Sequence, residues 1–314
     1  MNSVTETKIR CAVVTGGNKG IGFEICKQLA TKGISVVLTA RDVTKGLEAV
    51  EKLKNSYGLS NVIFHQLDVM NPVTLHSLVD FIRSHFGKLD ILYSFEKVNN
   101  AGILGAITDA AGFTATLQAL EATVALGEDQ IKEKPNLKQV INETYELAEE
   151  CVQTNYYGVK SVTKALISLL QLSSSPRIVN VTSTIGMLQF VSNENALEIL
   201  SDGDGLKEES VDEMVNMFLK DFKGGLLESK GWPSCLPAYT VSKASLNAYT
   251  RILAKQFPSF RINCVCPGWV KTDICYHSGV LTTTEGAERV VNLAFIPDDG
   301  PSGLFFSHGK ITSF

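Results

Sequence analysis

The chain has 314 residues, of which 44% are hydrophobic and 20% charged, enough for one large core or at most two domains. Its formal net charge is −4 with no long run of one sign, which argues against nucleic acid or an anionic membrane as a partner. No apolar run approaches the roughly 18 residues of a membrane span, and the polar N-terminus does not resemble a signal peptide, so we expect a cytoplasmic protein. Seven scattered cysteines favour reduced thiols, and no histidine or cysteine spacing indicates a metal site.

Short apolar runs alternate with amphipathic stretches through the first half of the chain. The predicted elements are strand 11–15, a helix that ends at Gly33, strand 35–40, helix 44–57, strand 62–68, helix 72–86 and a strand from 90. This alternation predicts a doubly wound α/β fold of the Rossmann type, in which helices cover both faces of a parallel sheet.

The second half continues the pattern with two interruptions. The predicted elements are helix 142–172, strand 178–182, helix 237–257, strand 261–266 and a last strand at 303–306. The stretches 105–137 and 187–236 break the alternation, and the second carries helical patterns at 195–199 and 208–222. Structureless loops of this length are uncommon in compact domains. We therefore interpret both stretches as helical insertions over one face of a single domain, residues 1–314.

A glycine-rich turn follows the first strand directly, in Thr15-Gly16-Gly17-Asn18-Lys19-Gly20-Ile21-Gly22. Glycines at this spacing let a pyrophosphate approach the backbone, and the next helix offers N–H groups and the positive end of its dipole. An ordinary strand–helix turn is the alternative, but the position between a strand and a helix favours a dinucleotide site. The candidate cofactor contacts here are Gly16, Asn18, Lys19, Gly20, Ile21 and Gly22.

The end of the second strand bears on which dinucleotide is bound. In such folds an acidic residue there accepts from the 2′-hydroxyl of NAD, whereas an arginine pairs with the 2′-phosphate of NADP. Arg41 comes first and Lys19 supplies a second cation, so we predict NADPH/NADP+ as the cofactor. Asp42 follows directly, which leaves a solvated Arg–Asp pair as the alternative.

A tyrosine and a lysine open the helix predicted at 237–257. Tyr239 and Lys243 are four residues apart and therefore share one helical face. An ammonium close to a phenol stabilises the phenolate and makes the phenol a better acid, able to protonate a developing alkoxide. The Tyr-x-x-x-Lys spacing is common on helices, so alone it carries little weight.

Four more motifs lie at the C-terminal ends of predicted strands or on adjacent helices, where open α/β sheets bind ligands. They are Asn99-Asn100-Ala101-Gly102, Asn155-Tyr156-Tyr157-Gly158, Asn180-Val181-Thr182-Ser183-Thr184-Ile185-Gly186 and Pro267-Gly268-Trp269-Val270-Lys271-Thr272. With the glycine turn and the Tyr-x-x-x-Lys pair, the chain resembles a short-chain dehydrogenase/reductase over nearly its full length. Within that family it is most similar to the monomeric branch of salutaridine reductase, neomenthol dehydrogenase and carbonyl reductase.

The resemblance implies reversible, NADPH-dependent reduction of a ketone or aldehyde to an alcohol, with a terpenoid-like, alkaloid-like or broader carbonyl substrate. Tyr239 would be the proton donor, and Lys243 would bind the nicotinamide ribose and favour ionisation of the tyrosine. Ser183 would hold the carbonyl oxygen, and Asn155 would anchor a water that relays protons. The further cofactor contacts that it implies are Asp68, Val69, Asn99, Ala101, Gly102, Pro267, Gly268, Val270 and Thr272. The resemblance also implies that the two helical insertions lie over the active site. They would cover the surface on which oligomeric relatives assemble, so it implies a monomer as well.

One departure from the family pattern falls in the fourth strand. The family runs Asp-Ile-Leu-Val directly into Asn-Asn-Ala-Gly, whereas here Tyr93-Ser94-Phe95-Glu96-Lys97 separate Leu92 from Val98. A central parallel strand is buried on both faces and accommodates charged residues poorly. Either the segment loops out, or the strand reaches the cofactor out of place. A shifted splice boundary would explain the five residues, and if they are real we expect weaker cofactor binding or lower stability.

Two alternative functions remain open at this point. Some relatives reduce a conjugated C=C bond, but those relatives have lost the catalytic tyrosine, which is present here as Tyr239. The other alternative is a cofactor-binding protein without turnover, disabled by the five-residue interruption.

Overall fold

The computed structural model describes residues 10–94, 104–108, 111–112, 114 and 141–314. Its strands are β1 (Cys11–Val14), β2 (Ser35–Ala40), β3 (Val62–Gln66), β4 (Ile91–Ser94), β5 (Ile107–Thr108), β6 (Ile141–Asn142), β7 (Arg177–Val181), β8 (Arg261–Cys266), β9 (Phe305–Ser307) and β10 (Lys310–Thr312). Its α-helices are α1 (Gly20–Thr31), α2 (Val43–Tyr57), α3 (Pro72–Phe86), α4 (Tyr145–Val152), α5 (Val159–Leu170), α6 (Glu194–Ser201), α7 (Glu208–Lys223), α8 (Pro237–Gln256) and α9 (Thr283–Val291).

The main sheet has eight strands in the order β10-β9-β8-β7-β4-β1-β2-β3. Its neighbouring strands pair in parallel, except that β10 is antiparallel to β9. The chain runs outward from β1 to β3 and then crosses to the other side of β1, so the order reverses between β1 and β4. Open α/β sheets bind ligands at such a reversal. The predicted doubly wound parallel sheet is confirmed, with an antiparallel edge strand that the sequence pattern did not predict.

Helices cover both faces of this sheet and form two separate cores. On one face α1 and α9 bury Ile25 and Val290, and on the other α3 and α8 bury Leu78 and Leu246. The core strands are buried throughout, as in the apolar run of β1. Because both faces are covered, the solvent reaches the sheet mainly at the ends of its strands.

Side chains cap the N-termini of several helices, but not that of α1. The N-caps Asp42, Asn71 and Thr144 each accept a hydrogen bond from a backbone N–H in the first turn of α2, α3 and α4. Lys19, the N-cap of α1, makes no such side-chain bond. The N-terminus of α1 therefore lacks the side-chain acceptor that its neighbours have.

The second predicted insertion contains two helices that pack on the domain. Helix α7 buries Val211, Met214 and Phe218 in the core that also contains α4 and α8. Two ion pairs with a buried ammonium also connect α7 to α5, since Lys160 Nζ lies 2.6 Å from Asp212 Oδ1 and 3.0 Å from Glu208 Oε1. Most of the first predicted insertion, 105–137, lies outside the described residues, although β5 within it pairs antiparallel with β6.

The central strand β4 continues into the interrupted segment. Tyr93 pairs in register with Val14 of β1 and Val179 of β7, and its fully buried hydroxyl donates to the Val291 carbonyl at 3.1 Å. Ser94 is also buried and lies opposite Asn180. The segment therefore does not loop out at its first two residues, and the remainder of the interruption, 95–97, lies outside the described residues.

All seven cysteines are described, and none forms a disulfide. Burial raises the pKa of the Cys11 and Cys235 thiols to about 12, which keeps both protonated at neutral pH. Within the described ranges, no helix combines the length and the apolar character that crossing a bilayer requires.

Candidate active site

The candidate catalytic groups gather where β7 ends and α8 begins. Helix α8 starts at Pro237, whose fixed φ suits the first helical position, directly after Leu236 in a left-handed conformation with φ of 46°. Tyr239 therefore lies in the first turn of the helix and Lys243 one turn further on. The Lys243 ammonium lies 5.5 Å from the centroid of the Tyr239 ring. Lys243 is buried whereas Tyr239 is half-buried, so the phenol is the more accessible of the two groups.

Ser183 follows β7, and the turn that it begins packs against the same helix. Its hydroxyl accepts a hydrogen bond from the Ile185 N–H at 3.3 Å and so begins a 3₁₀ turn, Thr184–Gly186. A Cβ on Gly186 would lie 2.7 Å from the backbone carbon of Lys243, so only glycine permits this approach. The Asn247 side chain donates to the Gly186 carbonyl at 2.9 Å and fixes the contact. The structure thus brings Ser183, Tyr239 and Lys243 together at the C-terminal end of the sheet.

Asn155 supports this cluster from a buried position in a π-helical stretch, Gln153–Gly158, between α4 and α5. Its amide donates to Ser242 Oγ at 3.0 Å, and Ser242 Oγ in turn donates to the Tyr239 carbonyl at 2.8 Å. Single π-helical turns are frequent at functional sites, because they redirect a side chain that a regular helix would place elsewhere. The structure therefore ties Asn155 to the first turn of α8.

The glycine turn between β1 and α1 has a shape that requires glycine. Gly16 and Gly20 adopt φ of 63° and 57°, a region that residues with a Cβ rarely enter. A Cβ on Gly22 would lie 2.4 Å from the Gly16 carbonyl oxygen, too close for any other residue. Asn18 carries a buried Oδ1 atom with no hydrogen-bond partner among the described residues. An unpaired buried acceptor is costly unless another group supplies a donor.

The two cations predicted near the adenosine end lie in different surroundings. Arg41 is exposed at the end of β2, while Asp42 caps α2 by accepting from the Lys45 N–H at 3.0 Å. The capping role gives Asp42 a structural explanation apart from ribose binding. The ammonium of Lys19, in the glycine turn, forms an ion pair with Asp273, which follows β8.

The remaining predicted cofactor contacts divide between described and undescribed residues. Val69, after β3, touches Gly158 in the π-helical stretch, where a Cβ on the glycine would lie 2.6 Å from Val69 Cγ2. Asp68 begins the same loop and accepts from the Met70 N–H at 3.0 Å. Asn99, Ala101 and Gly102 lie outside the described residues.

The segment after β8 reaches back towards the glycine turn. Gly268 has φ of 93°, and Pro267 accepts a hydrogen bond from the Arg289 side chain through its carbonyl at 3.3 Å. Val270 is buried against α9. A Cβ on Gly20 would lie 3.5 Å from Thr272 Cγ2, so the glycine turn and this segment are direct neighbours.

Trp269 belongs to the motif at 267–272, but the sequence alone indicated no role for it. Its ring packs in a small apolar cluster with Tyr239, Leu104 and Cys275. Its indole N–H is buried and has no acceptor among the described residues. The signal that could have found it is its place between Gly268 and Val270, because the chain turns there at Gly268 and then packs beside Tyr239.

A nicotinamide dinucleotide fits these residues on three structural observations. The turn before α1 closes in a way that only glycine allows, α1 lacks a side-chain cap, and the buried Asn18 Oδ1 beside it finds no donor in the part of the chain that the structure describes. A helix N-terminus of this kind binds phosphate groups through its N–H groups and dipole. The cluster of a phenol, a hydroxyl and an ammonium lies at the same edge of the sheet.

Comparisons with known proteins agree with this geometry. The short chain dehydrogenase family model matches residues 10–127, and the enoyl-(acyl carrier protein) reductase model matches residues 226–297. The chain is 61% identical over 316 aligned residues to salutaridine reductase of Papaver somniferum, covering 99% of this chain and 98% of that protein. It is 52% identical to (+)-neomenthol dehydrogenase of Arabidopsis thaliana, covering 99% and 100% of the two chains.

A more distant relative and a solved structure extend the comparison. Carbonyl reductase [NADPH] 1 of Rattus norvegicus is 33% identical, covering 96% of each chain. The solved structure of salutaridine reductase from Papaver somniferum superimposes with a TM-score of 0.83, covering 95% of this chain and 99% of that one. Sequence and structure therefore identify the same group of proteins, which confirms the predicted resemblance.

Proposed function

Since the chain belongs to the short-chain dehydrogenase/reductase family of oxidoreductases, we propose that it reduces a ketone to an alcohol with NADPH. The observation that carries this proposal is the convergence of Ser183, Tyr239 and Lys243 at the ligand-binding edge of the sheet. Two hydroxyls beside one buried ammonium suit a reaction in which a carbonyl oxygen gains negative charge and then a proton.

The choice of NADPH over NADH rests on charge at the adenosine end. Arg41 is exposed at the end of β2, where an arginine suits a 2′-phosphate. Asp42, the acid that would favour NAD, is engaged in capping α2. The printed name of the rat relative, carbonyl reductase [NADPH] 1, supports the same cofactor.

The chain's own side chains supply the acid chemistry. When bound, a dihydronicotinamide supplies the hydride for the carbonyl carbon. Ser183 and Tyr239 donate hydrogen bonds to the carbonyl oxygen, and Tyr239 gives up its proton as negative charge develops there. Lys243 stabilises the resulting phenolate, and Asn155 orients the water that restores the proton. Positioned acid catalysis of this kind contributes roughly 10²–10⁴-fold to the rate.

The proposed substrate class rests on the names of the relatives. Salutaridine and neomenthol are an alkaloid and a terpenoid, and the relatives named for them are 61% and 52% identical to this chain. We therefore propose a bulky, cyclic, alkaloid-like or terpenoid-like carbonyl compound, with a broader carbonyl range as the wider possibility.

We also propose that the chain acts as a cytoplasmic monomer. Helix α7 packs on α4 and α8 and adds the buried ion pairs of Lys160, so it covers a helical face that could otherwise pair with a second copy. Seven cysteines without a disulfide suit a reducing compartment. Light scattering should give the mass of one chain and cell fractionation should place it with cytosolic markers; a dimer or tetramer mass, or a membrane-bound fraction, would contradict these proposals.

Incubation of the purified chain with NADPH and a panel of cyclic ketones tests the proposed function. The panel includes conjugated enones, and products are identified by mass spectrometry and NMR. We expect an alcohol with stoichiometric NADPH oxidation. A saturated ketone would instead indicate C=C reduction, and NADPH binding without oxidation across the panel would indicate a cofactor-binding protein disabled after β4.

A further inference from the structure

An ion pair joins the two segments that flank the proposed dinucleotide site. Lys19, at the N-cap of α1, pairs with Asp273 in the short turn after β8, across 254 residues of sequence. Strands β1 and β8 are not neighbours, because β4 and β7 lie between them. At the usual strand spacing the two strands are about 14 Å apart, so this pair spans the C-terminal edge of the sheet.

The pair is exchangeable because water reaches both partners. The side chains of Lys19 and Asp273 are 41% and 42% exposed, and surface pairs of this kind contribute little to stability. A phosphate offers the same ammonium a more highly charged partner with several acceptor oxygens. A dinucleotide phosphate close to Lys19 can therefore displace the carboxylate.

Asp273 keeps its negative charge in this position. The hydrogen bond from Lys19 holds the pKa of Asp273 below its usual range. His277, four residues on, also contacts the carboxylate, with Nε2 at 3.2 Å from Oδ1. A charged carboxylate thus lies beside the turn that would receive the phosphates, where it attracts the same ammonium that they would.

We propose that Asp273 competes with the phosphate groups of the cofactor for the Lys19 ammonium. By holding this cation, Asp273 weakens dinucleotide binding and so keeps the oxidised cofactor exchangeable after each turnover. Cofactor release limits the rate of many enzymes, which gives such a competitor a function. The inference rests on the proposed dinucleotide site and deepens it, since it assigns an affinity-setting residue outside the motifs.

Two phosphate sources are possible, the pyrophosphate and the 2′-phosphate, and two cofactors separate them. Dissociation constants for NADPH and NADH are measured by fluorescence titration without substrate, for the wild type, Asp273→Asn, Lys19→Met and the double variant. We expect Asp273→Asn to bind NADPH about twofold to fivefold more tightly, as the loss of an exposed competing pair predicts. If Asp273→Asn tightens NADH binding by the same factor, Asp273 competes with the pyrophosphate, which both cofactors carry. If NADH binding does not change, Asp273 competes with the 2′-phosphate, which only NADPH carries.

The double variant shows whether the effect passes through Lys19. In the Lys19→Met background, Asp273→Asn should leave the NADPH dissociation constant unchanged. Asp80→Asn is the matched control, because Asp80 forms an exposed pair with Arg83 at 2.8 Å on α3, and it should have no effect.

Three results would overturn the inference. Unchanged or weaker NADPH binding in Asp273→Asn would mean that the pair supports the bound cofactor or only the fold. If Asp273→Asn tightened NADPH binding equally in the Lys19→Met background, the effect would come from the loss of one negative charge and not from competition for Lys19. A wild type that binds neither dinucleotide would overturn the proposed function and this inference together. If the wild type binds NADPH, either of the first two results would refute only the role of Asp273 and would leave the proposed function standing.

Discussion

The proposed catalytic and cofactor-binding halves of the site are built in different ways. The catalytic half is part of the core: Lys243 is 5% exposed, Asn155 is fully buried, and Gly186 lets the serine turn rest directly on α8. At the cofactor half, Arg41 is exposed and Lys19 is held by a single partly exposed ion pair. Packing therefore fixes the proposed reacting groups, whereas exposed charges remain available to bind a ligand that is released after each turnover.

This difference matches what each half must do. A reacting group displaced by about 1 Å can cost about 100-fold in rate, so the phenol and the serine hydroxyl need rigid supports. A cofactor must be released after each turnover, and weakly held surface charges permit its exchange. The two halves should accordingly respond to substitution in different kinetic parameters.

The largest effect should come from Tyr239→Phe, which removes the proton donor and keeps the ring. We expect kcat to fall by roughly 10²–10⁴-fold, because positioned acid catalysis contributes about that much. The NADPH dissociation constant should stay within error of the wild type. Steady-state kinetics and fluorescence titration measure the two quantities.

Tyr249→Phe is the matched control for this variant. Tyr249 lies on the same helix, is fully buried, and has a hydroxyl with no partner among the described residues. Its removal should leave kcat unchanged. Near-normal turnover in Tyr239→Phe would refute the assignment of this tyrosine.

The next largest effects should come from a pair of glycines, one in each half. In Gly22→Ala the new Cβ meets the Gly16 carbonyl oxygen at 2.4 Å, so the phosphate turn must open. The NADPH dissociation constant should rise by about tenfold or more, as overpacking predicts, with kcat largely kept at saturation. In Gly186→Ala the Cβ meets Lys243 at 2.7 Å and displaces the serine turn, so kcat should fall by about tenfold to 100-fold with unchanged cofactor affinity.

These opposite signatures test the division itself. If both variants changed kcat and NADPH affinity by similar factors, the two halves would be one mechanical unit and the comparison would be wrong. Circular dichroism melts of both variants control for a general loss of stability.

Much of this architecture could be predicted from hydrophobic periodicity, and the exceptions have physical causes. Strand 261–266 and helix 72–86 lie where the pattern placed them, because each has one clear period and firm boundaries. The predicted helix 142–172 contains a π-helical stretch at Gln153–Gly158, since one extra residue in a turn barely disturbs the apolar stripe on either side. Strand β10 is short and antiparallel at the edge, so it leaves almost no pattern.

The candidate site also contains residues that the sequence could predict and residues that it could not. Motifs placed Ser183, Tyr239 and Lys243 at strand and helix ends, and the parallel topology then brings those ends to one edge. The partner of Lys19 was beyond such reasoning, because an ion pair across 254 residues leaves no local signature. The indole N–H of Trp269, which has no acceptor within the described ranges, is likewise visible only once its neighbours are known.

A smaller effect should follow from deleting residues 93–97, the interruption at the cofactor half. By the family spacing, Tyr93 and Ser94 occupy the strand positions that Val98 and Asn99 would take, and the buried Ser94 Oγ has no partner within the described part of the chain. Deletion should return Asn99 to the end of β4 and tighten NADPH binding by about twofold to tenfold, the worth of one hydrogen bond. Fluorescence titration measures it.

Tyr93→Val separates this effect from the loss of the buried ring. That variant creates a cavity and removes the hydrogen bond to Val291, so it should lose about 2 kcal/mol of unfolding free energy without a gain in NADPH affinity. Unchanged NADPH affinity in the deletion variant would show that the interruption does not disturb the cofactor half.

The smallest expected effect concerns Trp269, which belongs to the cofactor segment after β8 yet packs against Tyr239. Its buried N–H lacks an acceptor among the described residues, so a substrate oxygen other than the reacting carbonyl is a suitable partner. Trp269→Phe should raise KM about threefold for ketones with such an oxygen and leave it unchanged for matched ketones without one.

The second tryptophan supplies the control for that comparison. The indole of Trp232 donates to Asp221 Oδ2 at 3.0 Å, so Trp232→Phe should lower the melting temperature without altering KM for either ketone. An equal rise in KM for both ketones in Trp269→Phe would mean that the ring only shapes the pocket. A rise confined to the oxygen-bearing ketone would instead make Trp269 the point at which the two halves meet, because a residue held by the cofactor segment would then select the substrate.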